Sequence, residues 1–231
     1  MVEWDGLENR YTGNCIEGSN PSFSANKNFM THLRHEKKIT FLIVTAFILD
    51  ALCPMSSFVL FPPDFSHEFP VYPSGSIMLM VCGGAFGMAG LTIMGIKLAD
   101  EKKVLPAAGF TMLAISSGIL LASIFEISQV VSHETYEKFY RIQSSGNFLY
   151  LPAMYLISTY EDFKKWIRYI GLVSSILLLS ASIMFLFGNR DYKTLETISN
   201  LGFLVMFLTF LCWAYNVFVN YKKGLNQAAL N

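Results

Sequence analysis

The sequence predicts an all-α fold: a polytopic membrane bundle of six transmembrane helices with both termini cytoplasmic. Three observations lead there. Mean hydropathy over the 231 residues is +0.42 and only 15% are charged, too apolar for an ordinary soluble domain. The apolar residues come in blocks of about twenty, the length that crosses ~30 Å of hydrocarbon. With six spans, thirteen of the Lys and Arg residues fall on one side and four on the other, which places the termini in the cytoplasm by the positive-inside rule.

Residues 1–38 read as a polar, irregular and disordered cytoplasmic tail. It has no short basic start followed by an apolar core, so no cleavable signal peptide is expected. The tail ends in a basic collar, His32 to Lys38, suited to anionic head groups and to fixing topology. The first span is expected over about Ile39 to Phe61, followed by a proline- and aromatic-rich loop without Lys or Arg, Pro62 to Ser74.

The second span, Gly75 to Leu98, is crowded with small residues. Gly83 and Gly87 form a G-x-x-x-G pair, and Gly84, Ala85, Ala89 and Gly90 extend the small surface. In lipid, helices associate through close backbone approach, which small residues permit. The segment therefore reads as the central helix of the bundle. A charged turn, Ala99 to Lys103, leads to the third span, about Val104 to Ile127.

The loop 128–146 is expected to be partly helical through HETYEKFYRI. The fourth span, about Asn147 to Tyr160, is short and holds Pro152; a start near Phe139 would give it a full crossing. The fifth and sixth spans are about Ile167 to Phe187 and Asn200 to Tyr221, joined by a polar loop over Gly188 to Ser199. Residues 222–231 form a second cytoplasmic tail. Dropping the fourth span would put the C-terminal lysines outside, so the even count is the consistent one.

Asp50 is the acid deepest inside an apolar block, where an ionisable group must face the bundle or water. Pro54, four residues on, leaves the Asp50 carbonyl without its helical partner, and Ser57 lies further along that face. At ~1.5 Å per residue, Ser116, Ser117, Ser180 and Thr209 reach a similar depth, so a polar layer is expected with Gly83 and Gly84 beside it. Its open readings are a buried hydrogen-bonded knot, a proton, ion or substrate site, or a span boundary that leaves Asp50 near the surface. Thr209, Trp213, Asn216 and Asn220 share one face of the sixth helix, read as inward polar packing.

A second set, Asp64, His67, Glu68, Glu126 and His133, gathers on the outer rim, with residue types that bind zinc or transfer protons. The spacing is loose and matches no metal or hydrolase motif, so no catalytic residue, metal or cofactor is assigned. The loop FPPDFSHEFPVYP suits the interfacial aromatic belt and a lid over the outer mouth. The four cysteines lack ligand spacing and are expected as free thiols, and Asn20-Pro21-Ser22 is no glycosylation acceptor because proline is central. The zero net charge offers nothing to nucleic acid.

The layout resembles the DRAM/Frag-type superfamily of six-helix membrane proteins, which includes an uncharacterised prokaryotic domain. The likeness runs through AGFTMLAISSGILLASIFEISQVVSH with His133, and GNRDYKTLETISNLGFLVMFLTFLCWAYNVF with Glu196 and Trp213. The Pro-Glu element of its eukaryotic members is absent after the first loop, so the resemblance implies the topology rather than their roles in autophagy or lipid organisation.

The expected function is a non-enzymatic membrane protein that binds or organises lipid, or a membrane partner, or a second copy of itself. Alternatives are a small proton- or ion-coupled transporter using Asp50 and a membrane-embedded hydrolase at the outer rim. The expected location is the plasma membrane or, in a eukaryote, an endomembrane such as the lysosome.

Overall fold

Backbone amides surrounded by hydrocarbon must bond within their own segment, and each apolar block does so as a helix. A computed structural model of the chain describes residues 21–64, 71–127, 132–188 and 191–230, with side chains over 35–64, 71–126, 132–188 and 191–226. The helices are α1 (Pro21–Leu60), α2 (Ser74–Asp100), α3 (Val104–Ile127), α4 (His133–Ser158), α5 (Lys165–Leu186) and α6 (Tyr192–Leu230). Among the described residues there is no strand. An isolated bridge pairs Asp64 with Val71 in the first loop. The chain divides into two compact units, Met1–Lys38 and Ile39–Asn231.

Five helices, all but α4, are long and apolar enough to cross a bilayer. Their outward faces stay apolar: Val59, Met78, Ile96 and Ile176 are all exposed, which suits acyl chains and not water. These features mark a multi-pass membrane protein.

Three helices begin earlier than the expected spans. Part of the polar leader is helical, since α1 starts at Pro21, while residues 1–20 lie outside the described residues. Helix α4 starts at His133 because Ser132 caps it, its Oγ accepting the Thr135 N–H at 3.2 Å. The polar loop expected over Gly188 to Ser199 gives way to helix at Tyr192. There Asp191 accepts both the Thr194 N–H, at 3.3 Å, and its hydroxyl, at 2.6 Å.

Neighbours in sequence are neighbours in space, from α2 on α3 through α5 on α6. The ring closes through α1: its Phe47 stacks on Phe210 of α6, with centroids 5.7 Å apart. On its other side, α1 lies against the glycines of α2.

The glycine-rich α2 is not the central helix. Its apolar stretch is 33% buried, the least of the five, against 39–44% in the others. Helix α4 turns one face inward, burying Tyr136, Tyr140, Gln143, Asn147, Tyr150, Met154 and Ile157. That alternating four-three spacing is the seam of a helix packed along its length. Two glycines bring α3 and α4 together. A Cβ on Gly109 would press the Ala153 carbonyl at 2.8 Å, and one on Gly146 would meet the Ser116 carbonyl at 3.3 Å.

One end of the bundle carries the α2–α3 and α4–α5 turns. Lys103 bonds Asp162 at 2.7 Å and Glu101 at 2.9 Å, tying the two turns together. Its hydrogen bond holds the Asp162 carboxyl below the usual carboxylate range. Asn216 and Asn220 of α6 donate to the Asp162 carbonyl at 2.9 and 3.1 Å. Beneath them Trp213, 1% exposed, packs with Phe47, Phe110, Phe163 and Phe210. This aromatic plug fills the interior at that end.

Candidate functional site

Beyond the plug the interior opens into a cavity of about 400 Å³, lined from α1, α2, α3, α4 and α6 and by Tyr72 of the first loop. Its walls are mostly apolar, with Met55, Phe58, Leu121, Phe203 and Phe207 prominent, and Phe210 is shared with the plug. Roughly 300–1,000 Å³ is the usual size of small-molecule sites, most of them apolar with a few placed polar groups.

Two acids mark different depths of this cavity. Asp50 lies roughly 15 Å from the Leu60 end of α1, at ~1.5 Å per residue. It is 5% exposed, and among the described residues no hydrogen bond or ion pair reaches its carboxyl. Its position depends on Gly87, where any Cβ would overlap the carboxyl atoms. Gly83 likewise admits the Pro54 ring, and Gly90 admits Ala46 and Phe47, so these three glycines let α1 and α2 touch. Gly84 faces the other way, against Leu121 of α3, and lines the cavity.

Glu196, one turn into α6, sits nearer the first-loop end and accepts the Tyr72 hydroxyl at 3.1 Å. Burial, followed by the Glu196 charge, pushes the Tyr72 hydroxyl well above the ordinary tyrosine range. Around it Tyr136, Tyr140, Phe185 and Tyr192 form an aromatic cluster, with the Tyr136 and Tyr192 centroids 5.4 Å apart. Gln143 and Ser199 also line the cavity, and among the described residues the Gln143 carbonyl oxygen and Ser199 hydroxyl have no partner.

The expected polar layer does not assemble as one group. Ser117 joins Asp50 on the cavity wall. Ser116, fully buried, donates instead to the Gly146 carbonyl of α4 at 2.9 Å. Ser57, Ser180 and Thr209 turn back on their own helices, donating to the carbonyls of Pro54, Ile176 and Val205. Hydroxyls in apolar surroundings readily take the carbonyl three or four residues back, and so need no neighbour. Further buried interhelical hydrogen bonds involve residues outside this set: Asn147 of α4 donates to Ser182 Oγ and the Leu178 carbonyl of α5 at 2.9 and 3.3 Å, and Ser174 of α5 donates to the Gly202 carbonyl of α6 at 3.1 Å.

The rim residues are dispersed. His133 is exposed, its Nε2 3.3 Å from the Tyr192 hydroxyl; Glu126 is half-buried; Asp64 bridges Val71 through its backbone. His67 and Glu68 lie outside the described residues. Among the described residues no three His, Cys, Asp or Glu side chains converge to hold a metal ion. Cys53, Cys82 and Cys212 are free thiols, and Cys15 is outside the described residues.

Composition pointed to Asp50 but not to Tyr72, Gln143 or Ser199 as its companions. The available signal was the Asp191–Thr194 capping pair, which starts α6 early enough to put Glu196 and Ser199 on a helix facing inward. Comparison with known proteins finds nothing similar: no family model, no curated protein and no solved structure matches the chain.

Proposed function

We propose that this is a six-span membrane protein, with both termini cytoplasmic, whose bundle holds one amphipathic, lipid-like molecule in the cavity described above. Kinship with the DRAM/Frag group belongs to the same proposal and rests on the helix pattern around His133, Glu196 and Trp213. The observation that supports binding is the pairing of an apolar wall with unpartnered polar atoms of Gln143 and Ser199 in a cavity of about 400 Å³. That volume suits a single chain or fused ring system rather than a two-chain phospholipid. In this reading Tyr72 and Glu196 latch the first loop to α6 over the cavity.

The test is native mass spectrometry of protein purified in mild detergent, beside a Ser117→Phe variant that fills the cavity from its wall. About one retained lipid-sized molecule per chain is expected in the parent, and several-fold less in the variant at unchanged melting temperature. Equal retention in both, or none in either, overturns the proposal.

A second reading, a proton- or ion-coupled carrier, is favoured by the unpaired Asp50 carboxyl on the cavity wall. Under it, Asp50→Asn abolishes uptake into proteoliposomes while the folded protein still purifies.

A further inference from the structure

We infer that the molecule in the cavity is a lipophilic amine, its ammonium group seated on Asp50. This rests on the reading of the cavity as an amphiphile site and deepens it by naming the charge of the ligand. Asp50 is buried and lines the cavity, yet among the described residues no donor or cation reaches its carboxyl. An ionised carboxyl at such depth requires a counter-charge, and the cavity wall has no Lys, Arg or His to supply one. Both acids in the lining, Asp50 and Glu196, are therefore without a basic partner there.

The difference between the two acids locates the ammonium. Glu196 already accepts the Tyr72 hydroxyl, so one of its oxygens is occupied. Asp50 accepts no hydrogen bond from the described residues. Gly87 leaves the Asp50 carboxyl space against α2, which no residue with a side chain would do. The rings of Phe58, Phe207 and Phe210 line the same cavity, and aromatic faces attract ammonium and alkylammonium groups. An ammonium on Asp50 gains a charge-assisted hydrogen bond, and its hydrocarbon fills the apolar wall. Hydroxyl or carbonyl groups further along such a ligand meet the unpartnered Gln143 and Ser199 atoms.

The probes are dodecylamine, dodecanol and dodecanoic acid, each offered to the full chain in neutral maltoside micelles and followed by saturation-transfer NMR and thermal stabilisation. The amine is expected to bind about tenfold more tightly than the alcohol, the worth of roughly one charge-assisted hydrogen bond. The acid should bind weakest, repelled by both carboxylates. In Asp50→Asn the amine should fall to within about twofold of the alcohol bound by the same variant. Glu196→Gln should keep most of the amine preference.

Equal binding of amine and alcohol by the parent chain overturns the ammonium site while leaving the amphiphile reading standing. Absence of binding by all three overturns both. The parent comparison needs no variant, so a poorly folded Asp50→Asn protein leaves the test intact. Loss of preference in Glu196→Gln alone would place the ammonium at the wrong acid and overturn the assignment to Asp50.

Discussion

Gly87 shows how one missing side chain sets the chemistry of a neighbouring helix. With no Cβ at this position, the Asp50 carboxyl rests against α2 while also lining the cavity. Alanine there must displace the carboxyl or push α1 away from α2, and overpacking of this kind costs about 1–3 kcal/mol. Gly118 is the control, because a Cβ there meets only the flexible end of Met88 at 3.4 Å. Gly87→Ala should therefore lower the melting temperature in detergent by several degrees, and Gly118→Ala by little or nothing. Equal effects would mean that the α1–α2 contact is looser than described. Single residues also explain where the sequence reading stopped: Asp50 is conspicuous in an apolar block, but a serine's partner is chosen by the nearest free carbonyl. Ser57, Ser180 and Thr209 find theirs in their own helices.

Elements begin and end on local chemistry, and the α2–α3 turn states its requirement plainly. Lys102 has a φ of 61°, its N–H bonds the Ala99 carbonyl, and the Lys103 N–H reaches back to Leu98. This is the left-handed helix cap that favours glycine. Lys102→Gly should stabilise the chain by about 0.5–1 kcal/mol, read as a rise in melting temperature, because it removes the strain of a side chain at positive φ. An unchanged or lower value would show the Lys102 side chain contributing more than the strain costs. At this scale the apolar blocks were legible as helices, and α3 runs over Val104–Ile127 as expected. The start of α6 was hidden in a polar loop, since its cap is a single residue, Asp191, that hydropathy does not register, whereas α4 starts at His133, where the stretch HETYEKFYRI was expected to be helical. Helix α4 as a whole was obscured because its buried face carries Tyr, Gln and Asn where a membrane-facing helix would carry Leu.

At the scale of the whole molecule, opposite ends hold different interactions. One end is clasped by Lys103, Asp162, Asn216 and Asn220, the other by Tyr72, Glu196 and an aromatic cluster. A six-span crossing requires α4 to run between these two ends. Single cysteines at Glu134 and Glu161, in a chain whose native cysteines are replaced by serine or alanine, test this directly. Membrane-impermeant maleimide applied to intact cells should label Glu134→Cys and spare Glu161→Cys until the cells are opened. Labelling of both from outside, or of Glu161→Cys alone, would break the six-span topology.

Composition and block length alone determined that the chain is a helical membrane protein, because hydrocarbon leaves a backbone no alternative to internal hydrogen bonds. They also singled out Asp50, since one acid among apolar residues needs a reason to be there. Only the tertiary structure decided what that acid faces. It placed Glu196, from the other end of the sequence, on the same cavity, turned the Tyr, Gln and Asn face of α4 inward and left α2 the least buried of the apolar helices. Depth along each helix can be counted from sequence at a fixed rise per residue. Rotation about each axis and choice of neighbour come from how glycines and aromatic rings fit across the interfaces, and that fit exists only once the helices have met.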